Sequence, residues 1–181
     1  DRTIDRLVLD LREFIEKLGL DNLCLVGHSM GALVIYGYIA KYGCEHLSSI
    51  CLMDMSPKPL PDPEWDHGVM DIDSSFRTAG CADIEDVMKW ARKTVTTFSS
   101  DYFRIMANTV PIMLSGYAYI EQMFPFTALT RPFPTIVADY WLAMLNADYR
   151  NAVPRITVPV TYVQPKRSVY PASVASHLAE N

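Results

Sequence analysis

Leu23-Cys24-Leu25-Val26-Gly27-His28-Ser29-Met30-Gly31-Ala32-Leu33-Val34-Ile35-Tyr36 is the stretch that decides the fold. One apolar run leads into Gly27-x-Ser29-x-Gly31, and a second apolar run leaves it. A strand, a very tight turn and a helix put Ser29 at the apex with its hydroxyl outward, the arrangement of a nucleophile elbow. Glycine on both sides has a steric reason, because a Cβ at either neighbour is expected to crowd strand against helix. The same turn aims the backbone N–H of Met30 at the place where an oxyanion would form.

The pattern continues outward in both directions. Before the turn, Ile4, Leu7, Val8, Leu11, Ile15 and Leu18 recur with helical period, and Gly19 follows as a C-cap. Leu23 to His28 reads as a strand buried on both faces, and residues 30–42 as a helix ended by Gly43. Ser49-Ile50-Cys51-Leu52-Met53-Asp54 reads as the next buried strand. Strand, helix, strand at these lengths predicts parallel pairing with a right-handed crossover.

The composition changes after Asp54. Pro57, Pro59, Pro61 and Pro63 alternate through a stiff loop that neither a helix nor a central strand tolerates. From Trp65 to about Arg150 the sequence reads as helical and aromatic, with Asp83 capping one helix and Pro134 opening another that runs to about Asn146. Trp65, Trp90 and Trp141 all lie there. Core packing accounts for most such residues, and lining an apolar pocket is the functional alternative. The strand pattern returns at Ile156–Val163, and Pro171 opens a last helix over Ala172–Ala179. Expected boundaries are therefore a core segment at 1–58, a helical insertion at 59–152 and a resumed core at 153–181. The fold class is α/β.

Composition narrows the function. The 181 residues suffice for a core, half of them are hydrophobic, and the net charge of −5 argues against nucleic acid as a partner. No apolar run is long enough to span a membrane. Cys24, Cys44, Cys51 and Cys81 match no zinc spacing. Buried, reduced thiols suit them best, in keeping with a reducing, cytoplasmic compartment. Neither a metal nor a cofactor is expected.

Leu18–Gly31, the Leu52-Met53-Asp54-Met55-Ser56-Pro57 segment and Ile156–Val163 together resemble the α/β-hydrolase family, in particular its serine-esterase and cofactor-free haloperoxidase-like branch. The likeness covers about half the chain, and the insertion resembles a helical lid in position only. It implies Ser29 as nucleophile, Met30 as an oxyanion donor, and an acid and a base to complete a triad. It also implies strands before residue 3, with a second oxyanion donor, and a last strand and catalytic histidine after residue 180. On that expectation the sequence is a fragment with little activity of its own.

None of the four histidines matches the base that the resemblance implies. His28 should point away from Ser29 toward the core, His46 follows the second helix, His67 opens the insertion and His177 precedes the family's base position. Packing or surface roles fit each of them better than general base. The usual site of the acid, Gln164–Pro171, holds no carboxylate. Asp54, at the end of the strand next to Ser29, is the candidate, because both loops open at the same sheet edge. A strand-end aspartate bonding local backbone N–H groups is the equal alternative.

A serine at the apex makes an acyl ester, so the implied substrate is a small hydrophobic ester or lactone. Perhydrolase or haloperoxidase-like chemistry on the same site, and a non-catalytic small-molecule receptor on the same fold, stay open beside it.

Overall fold

Every element around Ser29 is set by short-range signals in the chain. The computed structural model describes residues 2–68, 139–140, 143–166, 168 and 170–180. Helix α1, Ile4–Leu18, starts at Thr3, whose Oγ1 accepts from the Arg6 N–H at 3.1 Å. It stops at Gly19, where φ is 60° and the glycine N–H closes the last turn onto Glu16 and Ile15. The apolar stripe turns Ile4, Val8 and Ile15 inward, while Leu18 ends the stripe exposed.

Strand β1 is Leu23–His28, helix α2 is Met30–Tyr42 and strand β2 is Leu47–Met53. A 3-10 turn at Arg150–Arg155 precedes strand β3, Val160–Val163, and helix α3 is Ser173–Glu180. The sheet runs β1-β2-β3 with both pairings parallel. The expected strand at Ile156–Val163 is shorter than its apolar run. Pro154 sits inside the 3-10 turn and Pro159 has no N–H to give a ladder, although its carbonyl accepts from Ile50 N at 3.0 Å.

The core lies on one face of the sheet. Val8 and Ile15 of α1, Leu33, Tyr36 and Ile39 of α2, Ile50 and Leu52 of β2, and Val174 of α3 share it. The helices come close where the chain is bare: a Cβ on Gly37 would stand 2.7 Å from Val8 Cγ2 and 3.0 Å from Tyr149 Cζ. The 3-10 turn joins the same layer, with Tyr149 N donating to Pro57 O at 2.9 Å and Tyr149 Oη to Asp5 Oδ1 at 3.0 Å.

The other sheet face corrects two expectations. The register sets Cys24, Val26 and His28 beside Ser49, Cys51 and Met53, and the last two beside Thr161 and Val163. Cys24 and His28 are exposed and Val26 is 65% exposed, so β1 is covered on one face only. Alternation along a strand assigns side chains to faces, but whether a face is covered depends on distant elements. His28 thus points to the open face rather than the core. Cys24 is an exposed thiol, and Cys44 and Cys51 are half-buried; all three are free. Cys81 lies outside the described residues.

The sheet belongs to a compact unit of Asp1–Met70 and Ala143–Asn181, and Asp71–Leu142 form a second unit. The helix expected from Asp83 and the start of the one expected from Pro134 lie outside the described residues, with most of the insertion expected at 59–152. Of the second helix, Asp139, Tyr140 and Ala143 to Leu145 are described and are helical, and a turn follows at Asn146. Among the described residues no helix is long and apolar enough to cross a membrane, and no group of three metal-binding side chains could hold an ion.

Candidate active site

Ser29 links the end of β1 to the start of α2 at φ 52° and ψ −123°. An L-residue with a Cβ reaches that region only against steric strain of about 1–3 kcal/mol. Surrounding bonds hold it there. Ser29 N donates to Met53 O at 2.9 Å across to β2, and Ser29 O accepts from Ala32 N at 2.9 Å to begin the helix. The Ser29 side chain makes no capping bond to α2, so its hydroxyl is not spent on the helix end.

The two flanking glycines turn out to have different reasons. A Cβ on Gly27 would lie 2.6 Å from the carbonyl carbon of Gly31 and 2.7 Å from Ala32 N, a collision with backbone. A Cβ on Gly31 meets nothing within 4 Å among the described residues. The expectation that both glycines relieve crowding therefore holds for Gly27 alone. Gly31 is the second residue of α2 and is exposed.

Met30 is the first residue of α2. Its N–H belongs to the opening turn, where the helix supplies no acceptor and the aligned peptide dipoles leave partial positive charge. That donor beside a strained serine is suited to a developing negative oxygen.

Asp54 follows β2 as Ser29 follows β1, and it too has positive φ, 52°. Its N–H donates to Val163 O at 2.9 Å, which extends the β2–β3 ladder by one residue. Its Oδ1 accepts from Ser168 Oγ at 2.5 Å. The structure thus brings Ser29, Met30 and Asp54 to one edge of the sheet, at the C-terminal ends of parallel strands, where ligands bind in open α/β sheets.

The loop Gln164–Pro171 contributes to the site in a way its sequence does not announce. It holds no carboxylate, yet it supplies the hydroxyl that meets Asp54. Tyr170 is buried, its N–H donates to Ser168 Oγ at 2.9 Å and its hydroxyl to Met55 Sδ at 3.0 Å. Burial and the nearby Asp54 charge push the Tyr170 phenol well above its ordinary range. The same two causes, burial first, push Tyr162 up to about 12. Both phenols stay protonated at neutral pH; the Tyr170 hydroxyl donates to Met55 Sδ, while the buried Tyr162 hydroxyl has no hydrogen-bond partner among the described residues.

The histidines sit elsewhere. His46 is at the opposite end of β2, with Nδ1 3.5 Å from Asp21 Oδ1. His67 and His177 pack around Trp65, with ring centroids 4.7 Å and 5.0 Å from the indole, and His67 Nδ1 lies 2.8 Å from Ser173 Oγ. Burial and His67 hold the His177 imidazole below its ordinary value.

Known proteins share the fold. The profile of the alpha/beta hydrolase family matches residues 1–179. Strigolactone esterase D14 of Arabidopsis thaliana is 26% identical over 186 residues, covering 97% of this chain and 60% of the relative. The esterase EaEST from Exiguobacterium antarcticum superposes with a TM-score of 0.61 at 20% identity, over 99% of this chain and 62% of that one. A bromoperoxidase from Bacillus anthracis gives a TM-score of 0.55 at 16% identity, over 99% and 71%. The chain therefore spans about 60% of the length of the curated relative it matches.

Proposed function

We propose a serine-esterase function for this chain, which belongs to the alpha/beta hydrolase family. The backbone of Ser29, at φ 52° and ψ −123° between β1 and α2, carries the proposal. Strain of this kind collects at functional sites, and here it lifts a hydroxyl clear of the helix it starts.

In the proposed reaction Ser29 Oγ attacks the ester carbonyl and gives its proton to an imidazole base. The carbonyl oxygen becomes an oxyanion that the Met30 N–H stabilises. Expulsion of the alcohol, protonated by the imidazolium, leaves an acyl-Ser29 that water then hydrolyses. Asp54 would hold the base in the tautomer that accepts from Ser29. None of the described histidine placements supplies that base at Ser29, so the reaction is assigned to the whole protein.

The substrate would be a small hydrophobic ester or lactone. A relative named as an esterase of strigolactones supports including lactones. Hydrolysis of short p-nitrophenyl esters by the full-length protein tests the proposal. Turnover that falls about 10³-fold or more in Ser29→Ala supports it; turnover unaffected by that change refutes it.

A further inference from the structure

We propose that Ser168 is a positioning residue for Asp54, fixing which carboxylate oxygen is left for the base. This rests on the reading of Asp54 as the acid of the site. The argument begins with one proton. Ser168 Oγ accepts from the Tyr170 N–H at 2.9 Å, which occupies one of its lone-pair directions. Its own O–H points at Asp54 Oδ1, 2.5 Å away. A backbone N–H, a hydroxyl and a carboxylate thus form a directed chain, in which each donor polarises the next.

The chain is anchored at both ends. Gln164 Nε2 donates to Tyr170 O at 2.7 Å and to Pro171 O at 3.3 Å, closing the loop on itself. The Tyr170 hydroxyl reaches Met55 Sδ at 3.0 Å, one residue past Asp54. The Asp54 N–H is tied to Val163 O at 2.9 Å. Main chain and side chain of Asp54 are therefore both held by β3 and the loop after it. With Oδ1 pinned, the carboxylate cannot swing, and Oδ2 remains to orient an imidazole N–H. The loop that lacks an acid of its own serves the acid on the neighbouring strand.

The test is a double-mutant cycle on ester hydrolysis by the full-length protein, with p-nitrophenyl acetate as substrate. Ser168→Ala is expected to lower kcat about tenfold and to leave KM within about twofold. Ser168→Thr, which keeps the hydroxyl, should recover most of the loss. In an Asp54→Asn background, Ser168→Ala should cost less than about twofold, since the two groups act as one. Full kcat in Ser168→Ala, or a tenfold loss that repeats in the Asp54→Asn background, would overturn the proposal. An Asp54→Asn loss with a silent Ser168→Ala sinks the positioning role alone; a silent Asp54→Asn sinks the acid assignment as well. Crystal structures give a readout that needs no turnover. The Asp54 carboxylate should turn or split into two conformers in Ser168→Ala, and an unmoved carboxylate would count against the idea.

Discussion

The amide of Ser29 donates to the carbonyl of Met53 at 2.9 Å, so the turn after β1 is stitched to the last residue of β2. This one bond joins the strained apex to the strand that presents Asp54. It also explains how a residue with positive φ persists: the sheet ladder and the first turn of α2 over-determine it from both sides.

Strain held for function should be releasable. Glycine reaches φ 52° and ψ −123° far more easily than serine does. Ser29→Gly is expected to raise unfolding stability by about 1 kcal/mol while ester turnover disappears. Urea unfolding of parent and variant checks this. A destabilised Ser29→Gly would mean that the serine side chain contributes to the fold.

The flanking glycines should part company. Gly27→Ala drives a Cβ to 2.6 Å from Gly31 backbone atoms and is expected to cost about 3 kcal/mol. Gly31→Ala meets open space in a helical turn and should stabilise by about 0.4–1 kcal/mol. The two denaturation midpoints, measured side by side, should shift in opposite directions.

Asp54 combines a left-handed backbone with a bonded carboxylate, and asparagine tolerates that backbone equally well. Asp54→Asn should therefore keep the melting temperature within a few degrees while kcat falls about 10²–10⁴-fold. A parallel loss of stability and activity would instead mark Asp54 as a strand-end structural residue.

Acid should loosen α3. Burial and His67 hold the folded His177 pKa below its ordinary 6.5, with Glu180 opposing. Below that value the unfolded chain takes up a proton that the folded chain resists, so stability is full above pH 6.5 and declines as pH falls. Trp65 faces His177, and Ser173 and Asp66 both lie on Nδ1 of His67. The loss of stability between pH 7.5 and 5.5 should be smaller in His177→Gln than in the parent, by urea midpoints. Equal losses would exclude His177 as a source.

Much of the fold was legible because local signals agree with one another. The apolar stripe from Ile4 to Leu18 and Gly19 after it mark α1, and Gly27 through Ala32 announce the strand–turn–helix with no help from distant residues. What escaped was set at long range. Nothing in Cys24, Val26 or His28 tells which face of β1 the helices cover. The run Ile156–Val163 reads as strand throughout, yet only Val160–Val163 form one, because the 3-10 turn holding Pro154 runs into it and Pro159 has no N–H for the ladder. At the candidate site, Ser29 was visible from its glycines. The role of Ser168 was not, since a serine in a short loop carries no pattern until Asp54 is seen at the other end of its hydrogen bond.

Reaction of the full-length protein with a fluorophosphonate, followed by peptide mass mapping, tests the central claim most directly. The account predicts one covalent adduct, on Ser29, lost in Ser29→Ala and slowed in Asp54→Asn. A folded protein that takes no label, or takes it on another residue, would contradict it.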